Sequence, residues 1–387
     1  MTSAMKILVV DDEPDLEVLV RQKFRRQVLE GRFDLEFARN GAEALEVLAR
    51  DASINIVLSD INMPVMDGLT LLGKLTELDR ILKAVIVSAY GDMQNIRIAM
   101  NRGAFDFVTK PIDFQDLEIT INRTLDEILA LKRSLQDRAQ LNALQQELNI
   151  AARIQQSILP RVFPAFPDRT EFDVFATMTP AKEVGGDFYD FFLIDGERLG
   201  FVIGDVSGKG MPAALFMAVS RTLLRATAMQ VSSAGDCLQY VNKVLAAESA
   251  DGMFVTLFYG ILNTRTGEVE FAVGGHNPPY VLSEGGVRPL SFEGGMVVGI
   301  CQGVSYKSDR IQLQPGEGLF LFTDGLTEAT NEAEDMFSEE RLEAILQSCA
   351  AQPLRTLVGS VTEEVRKFVA GAPQADDLTI MTLRYRG

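Results

Sequence analysis

Residues 113–160 contain no glycine, and their only proline is the last residue. From Phe114 the stretch reads FQDLEITINRTLDEILALKRSLQDRAQLNALQQELNIAARIQQSILP, almost all good helix formers. An unbroken helix over it would reach ~70 Å at ~1.5 Å per residue. Apolar residues recur at three and four: Ile121, Leu125, Ile128 and Leu135, then Leu141, Leu144, Leu148, Ala151 and Ile158. The two runs are slightly out of phase, which predicts a stutter rather than one perfect seam. Such a helix must cover its apolar stripe, either by pairing with a copy of itself or by folding back on one of its own domains. We expect pairing, and so a homodimer through a coiled-coil linker over 126–160. That leaves two domains, 1–125 before the linker and 161–387 after it, as 387 residues would allow.

Composition narrows the class. Hydrophobic content of 47% and charged content of 24% are ordinary for a soluble globular chain. A formal net charge of −17 argues against nucleic acid and anionic membrane as partners. Cys237, Cys301 and Cys349 are too widely spaced for a disulfide framework or a zinc site and suit a reducing compartment. The apolar run Ile7 to Val10 is short and followed directly by acids, unlike a signal peptide. The run at 253–262 is too short to span a bilayer. A cytoplasmic location is expected.

Over 1–125, strand-like and helix-like segments alternate. The strands are KILVV (6–10), FDLEF (33–37), INIVLSD (54–60), KAVIVSA (83–89) and FDFVTK (105–110), with helices starting at Glu13, Asn40, Asp67 and Asp92. Such alternation predicts a five-stranded, doubly wound parallel sheet, whose ligands bind at the carboxyl ends of the strands. Asp11 and Asp12, Asp60, Ser88 and Lys110 end four of those strands. Three converging carboxylates would repel one another unless a divalent cation sat among them, and oxygen-only ligands favour Mg²⁺. A carboxylate beside Mg²⁺ and a lysine can attack a phosphoryl donor to give an acyl phosphate.

DDE, DINMPVMDG and VTKP, in this order and spacing, resemble the receiver domain of bacterial two-component response regulators. The resemblance implies phosphorylation of Asp60 by a histidine kinase. It also implies Mg²⁺ held by Asp11, Asp12, Asp60 and the backbone of Asn62, phosphate contacts from Ser88 and Lys110, Phe107 as the switch aromatic in place of the commoner Tyr, and a cis Lys110–Pro111 bond.

After Pro160 the chain becomes strand-like with glycine punctuation. Strands are expected at 171–179, 187–194, 198–205, 253–262, 268–273, 318–323 and 378–385, and helices at 210–230, 234–249, 338–350 and 353–370. Strands grouped between helix pairs predict an α+β sandwich with helices outside two sheets, α-β-β-α. Four acidic motifs stand out: EVGGDFYD (183–190), GDVSGKG (204–210), FTDGLTEA (322–329) and ADDLT (375–379). Carboxylates gathered with glycine, without His or Cys, describe a hard-cation site for Mg²⁺ or Mn²⁺. A pair of such ions ~4 Å apart is a hydrolytic centre for phosphoesters that needs no covalent nucleophile.

The four motifs resemble the metal-dependent (PPM-type) Ser/Thr protein phosphatases of the bacterial stress-response and sporulation branch, over roughly 161–387 and including AARIQQSILP at the entry. The resemblance implies two Mn²⁺ or Mg²⁺ ions, with Asp205 bridging both, helped by the Val206 carbonyl. Asp187 would serve the second metal, and Asp324 with Asp376 or Asp377, preferably Asp376, the first. Gly186 stands where eukaryotic relatives carry a further acidic ligand, and Lys182 is the nearest cation by spacing to their phosphate-binding Arg.

Other signals carry less. His276, the only histidine, suits a general acid by its ordinary pKa but sits in GGHNPP, where a turn histidine is the commoner outcome. VSGKG lacks the GxxxxGK[ST] pattern of a nucleotide loop. GGDFYD is superficially like a nucleotide cyclase motif, but the other three acidic motifs would then have no purpose. The resulting expectation is a response regulator whose output is a phosphoprotein phosphatase. By resemblance its substrate is a phosphorylated anti-sigma-factor antagonist. The alternatives are a catalytically inactive, phosphatase-like adaptor under receiver control and a nucleotide cyclase.

Overall fold

A computed structural model of the chain describes residues 5–89, 92–248 and 252–387. Its contacts divide the chain into two compact units, Met1–Ala143 and Leu144–Gly387.

In the first unit the strands are β1 (Met5–Val10), β2 (Phe33–Ala38), β3 (Ile54–Asp60), β4 (Lys83–Ala89) and β5 (Asp106–Lys110). The helices are α1 (Pro14–Lys23), α2 (Arg25–Leu29), α3 (Gly41–Arg50), α4 (Gly68–Leu75), α5 (Met93–Asn101) and the start of α6 (Phe114–Ile158). All strand pairings are parallel, in the order β2-β1-β3-β4-β5, the expected doubly wound sheet. Both faces are covered, so β1 runs apolar without a break from Ile7 to Val10. Leu8 and Val10 enter the core under α3, α4 and α5, while Ile7 and Val9 enter the core under α1 and α6. Two of the four predicted helix starts, Asn40 and Asp67, rest on side-chain caps, while Glu13 and Asp92 make none. Asn40 Oδ1 accepts from the backbone of Ala42 and Glu43, and Asp67 Oδ1 from Thr70. The helix expected from Glu13 is broken at Phe24, which is buried in the core.

Helix α6 is one continuous element, as the absence of glycine and proline predicts. Leu117, Ile121, Leu125 and Ile128 are buried in the first unit's core. Every residue of 133–147 is exposed, including Leu135, Leu141 and Leu144 of the predicted stripe. Near its end Gln155 is buried again.

The second unit contains β6 (Phe172–Thr179), β7 (Phe188–Leu193), β8 (Arg198–Val206), α7 (Met211–Ala228), α8 (Ala234–Glu248), β9 (Val255–Asn263), β10 (Glu268–Gly274), β11 (Tyr280–Ser283), β12 (Gly286–Pro289), β13 (Asp309–Gln312), β14 (Gly318–Phe322), α9 (Asp324–Thr327), α10 (Glu339–Cys349), α11 (Leu354–Val369) and β15 (Leu378–Tyr385). They build two five-stranded sheets, β13-β10-β9-β8-β7 and β12-β11-β14-β15-β6. Helices α7 and α8 lie on the first sheet, α10 and α11 on the second. This is the expected α-β-β-α sandwich. Strand β14 shows how it is held: Leu319 and Leu321 point into the core between the sheets, Phe320 and Phe322 into the core under α10 and α11.

The predicted strands and helices of this unit match within a few residues, and the last residue of the helix expected at 234–249 lies outside the described residues. Strands β11, β12 and β13 and helix α9 had no counterpart in the sequence reading. Each is four residues long, too short for a periodicity to register. Among the described residues no helix is long and apolar enough to cross a membrane.

Candidate functional site

Each unit gathers acidic side chains at the ends of its strands. In the first unit, Asp11 follows β1 and Asp60 ends β3, the two strands being direct neighbours. Asp11, Asp12 and Asp60 each present a ligand oxygen within 4.8 Å of the others, the one such group of three among the described residues. Lys110, the last residue of β5, donates to Asp60 Oδ2 at 2.8 Å and Asp11 Oδ2 at 2.9 Å. Burial alone would lower the pKa of this ammonium, but its hydrogen bonds to Asp60 and Asp11 outweigh that and raise it. Burial raises the Asp11 carboxyl above its ordinary value against the pull of the Glu13 N–H and Lys110. Ser88, on β4 one residue past the strand partner of Asp60, is buried with its hydroxyl unpaired. A buried donor with no acceptor beside a carboxylate suits an added phosphoryl oxygen. Asn62 and Phe107 are exposed. The Lys110–Pro111 bond is cis. Three hard oxygen ligands beside one lysine fit Mg²⁺.

The second unit draws its carboxylates from both sheets. Asp187 precedes β7 and Asp205 is the penultimate residue of its neighbour β8; Asp324 follows β14 by way of Thr323, and Asp376 and Asp377 precede its neighbour β15. A hydroxyl helps to link the two sides: Thr323 Oγ1 donates to Asp187 Oδ2 at 2.7 Å and accepts from the Thr379 N–H at 3.1 Å. Burial, reinforced by Asp205, raises the Asp187 carboxyl well above the usual range. Burial and then Asp324, with Asp376 and Asp377 adding to it, push Asp205 up to about 7. Asp324 is raised by burial and by Asp376, and nearby Glu328 by burial, Asp324 and Asp376. Like charges crowded at low dielectric resist ionisation unless cations compensate them, and all the donors are oxygens. The residues therefore fit divalent hard cations.

The neighbours Asp376 and Asp377 differ in placement. Asp377 is buried and its carboxylate accepts backbone N–H groups from Ala181 at 2.7 Å, Gly186 at 2.6 Å and Asp187 at 3.3 Å. Asp376 instead pairs with Lys209 at 2.8 Å, whose Nζ also donates to the Ala375 carbonyl at 2.6 Å. Both Lys209 and Lys182 are exposed, but Lys209 is the one that pairs with an acid of this centre. His276 is buried, its Nδ1 2.8 Å from Thr256 Oγ1, and burial lowers it to about 4. Burial thus favours the neutral ring.

The loop carrying Asp187 is held without side chains of its own. A Cβ on Gly185 would lie 2.3 Å from the Asp377 carboxylate, and one on Gly186 2.9 Å from the Val206 carbonyl oxygen. An acidic side chain at 186 therefore has no room. From the other side, Gln155 of α6 pairs with the Gly185 peptide, Nε2 donating to the carbonyl at 2.5 Å and Oε1 accepting from the N–H at 3.1 Å. Sequence reasoning passed over Gln155, because an amide in a helix carries no signal of a backbone partner. It passed over Lys209 because GDVSGKG was weighed for its aspartate and as a nucleotide loop, not for its lysine.

Two outcomes follow from this geometry. Replacing Gln155 with Leu leaves the Gly185 peptide groups buried and unpaired, so we expect a loss of ~1–3 kcal/mol, read as a lower urea midpoint of the second unit. The second concerns pH. The folded chain holds the proton of Asp205 far more tightly than the unfolded chain, where the ordinary value is 3.8. The stabilisation this proton provides is complete at low pH and lost as pH rises through about 7. With divalent ions chelated, the calorimetric melting temperature of the second unit should fall as pH rises from 3.8 to about 7 and level off above that, and Asp205→Asn should flatten the fall.

Comparison with known proteins agrees with both halves. Residues 7–122 match the family described as response regulator receiver domain, and residues 195–386 the family described as Stage II sporulation protein E (SpoIIE). Protein IcfG of Synechocystis is 29% identical over 265 residues, 61% of this chain and 41% of that protein. The chain therefore spans less than half the length of that relative. Phosphoserine phosphatase RsbU of Bacillus subtilis is 27% identical over 275 residues, covering 70% of this chain and 80% of its own. Among solved structures, the SiaA-PP2C domain of Pseudomonas aeruginosa superposes with a TM-score of 0.57 at 24% identity, over 63% of this chain and 98% of that one, which establishes the shared fold. The chain thus belongs to the response regulator receiver family in its N-terminal part and to the SpoIIE family, with a PP2C-type phosphatase fold, in its C-terminal part.

Proposed function

We propose that this chain is a response regulator in which phosphorylation of Asp60 by a histidine kinase controls a metal-dependent phosphoserine/phosphothreonine protein phosphatase. The observation that carries the reading is the meeting of Asp187 and Asp205 from one sheet with Asp324 and Asp376 from the other, buried enough that three of them resist ionisation. A fold gains nothing from such crowding unless cations occupy it.

In this reading Asp205, with the Val206 carbonyl, and Asp187, Asp324 and Asp376 hold two Mn²⁺ or Mg²⁺ ions. Bound there, the ions supply charge compensation and an activated water for phosphoester hydrolysis. Thr323 fixes the direction of the Asp187 carboxylate. Asp377 and Gln155 fix the loop that carries it. The roles of Asp376 and Asp377 differ because the carboxylate of Asp377 is already filled by backbone donors. In the receiver, Asp11, Asp12, Asp60 and the Asn62 backbone hold Mg²⁺, while Lys110 and Ser88 receive the phosphoryl oxygens and Phe107 reports the change. The kinship with a protein named phosphoserine phosphatase supports a phosphorylated protein as substrate, and we take an anti-sigma-factor antagonist as the candidate. The wet stripe of α6 over 133–147 supports pairing with a second copy.

Chemistry and phosphorylation are tested together. Wild-type chain should hydrolyse p-nitrophenyl phosphate only with Mn²⁺ or Mg²⁺, and Asp205→Ala or Asp324→Ala should reduce turnover by ~10²-fold or more. Acetyl phosphate with Mg²⁺ should add one phosphate by intact mass, and Asp60→Ala should add none. Turnover retained in the metal-site variants removes the assignment, and absent turnover in wild type leaves the adaptor.

The role of α6 is tested by insertion near Gln140. Seven helical residues restore a heptad phase and should preserve control by phosphodonor, whereas three or four should change basal activity. Light scattering should show a dimer. Insertions that are all silent would exclude α6 as the coupling element.

A further inference from the structure

Asp376 and Lys209 have a second face. Besides belonging to the acidic centre, both line a cavity of about 500 Å³, a size typical of ligand clefts. Its walls are mainly apolar. Val365 and Val369 of α11, Ala372 of the following loop and Leu378 at the start of β15 contribute, and Arg366 stands exposed beside them. Nothing in the proposed hydrolysis uses this space. A small phosphate ester needs only the carboxylates, Lys209 and the ions they would hold. A polypeptide bearing the phosphate must also place the residues on either side of it. At ~3.3 Å per residue of extended chain, the immediate neighbours of a phosphorylated residue at the acidic centre come within reach of a hollow that begins at Asp376. Charged groups sit only at its margins: Lys209 pairs with Asp376 and Arg366 with Glu363, each at 2.8 Å, and Glu328 is a further acid on the wall.

From this we infer that the cavity between α11 and the 371–376 loop is a specificity subsite, taking an apolar side chain that flanks the phosphorylated residue of the protein substrate. The inference rests on the phosphatase reading above and adds the substrate feature that reading leaves open. The subsite does not take part in the chemical step. It selects among phosphorylated chains by burying an apolar neighbour and rejecting a charged one, which would lose its water without gaining a partner.

The test uses the full chain with Mn²⁺ and two kinds of substrate. One is p-nitrophenyl phosphate. The other is a panel of phosphoserine and phosphothreonine peptides whose flanking positions carry Leu, Ala or Asp. Wild type should show kcat/KM about tenfold or more higher for Leu than for Asp at one flanking position, as burial of one apolar side chain predicts. Thr362→Trp, which fills the cavity from α11, should erase that preference while leaving p-nitrophenyl phosphate turnover within about twofold. Arg366→Glu, a change at the exposed rim, should raise the peptide KM and spare the small ester. Unchanged melting curves establish that both variants are folded. If wild type turns over the small ester but no peptide, or all peptides alike, the subsite is wrong while the phosphatase reading stands. The same holds if Thr362→Trp lowers both substrates equally. If wild type turns over neither kind with any divalent ion, the phosphatase reading fails and the subsite falls with it.

Discussion

Both halves of this chain depend on forcing like charges together. Neighbouring strands of a sheet end side by side, so acidic residues at those ends cannot avoid one another, and the ladder hydrogen bonds fix the distance between them. The two units compensate this repulsion differently. In the receiver, Lys110 reaches Asp60 and Asp11 at once, so a single ammonium answers two carboxylates. In the phosphatase, Lys209 pairs with Asp376 at the margin, and Asp187 and Asp205 are left to repel. The strain there must be borne by the rest of the sandwich, through the core between the sheets and the core under α10 and α11. The receiver site is thus partly compensated before it binds anything, whereas the second acidic centre has only a marginal lysine.

That repulsion makes the precise course of the 181–187 loop important, and the loop is fixed almost wholly through its backbone. Asp377 gathers three of its N–H groups, Gln155 pairs with the Gly185 peptide, and glycine at 185 and 186 lets both approaches happen. An acid that never touches the ions can therefore be as important to the geometry as one that does. It also explains two aspartates in a row before β15: the side chain of Asp376 pairs with Lys209 and that of Asp377 takes the N–H groups of the loop.

Much of this was legible from the residues alone, for identifiable reasons. Apolar runs ending in acids located β1, β3 and β8, and the strand expected at 378–385 is β15 to its exact ends. Asn40 and Asp67 announced their helices because a cap is a local event. What could not be read is what depends on distant partners. Strands β11, β12 and β13 exist because neighbours already in place hold their hydrogen bonds, and four residues show no period. Gln155 is an ordinary helix residue until Gly185, thirty positions away, arrives beside it. Lys209 becomes a basin residue only when the sheets bring Asp376 to it.

The long helix α6 is anchored at its start by Leu117, Ile121, Leu125 and Ile128 and near its end by Gln155, while every residue of 133–147 is in water. Local stability in a protein follows buried contact, and the middle of this helix has little of it. In a single chain that midsection can fray without unfolding either domain, since neither core includes it. Fraying there would loosen the end that grips Gly185, whereas a second chain covering the wet stripe would suppress it. If a second copy does cover that stripe, the helix would behave less like a rigid lever than like a fuse, whole or melted according to protein concentration.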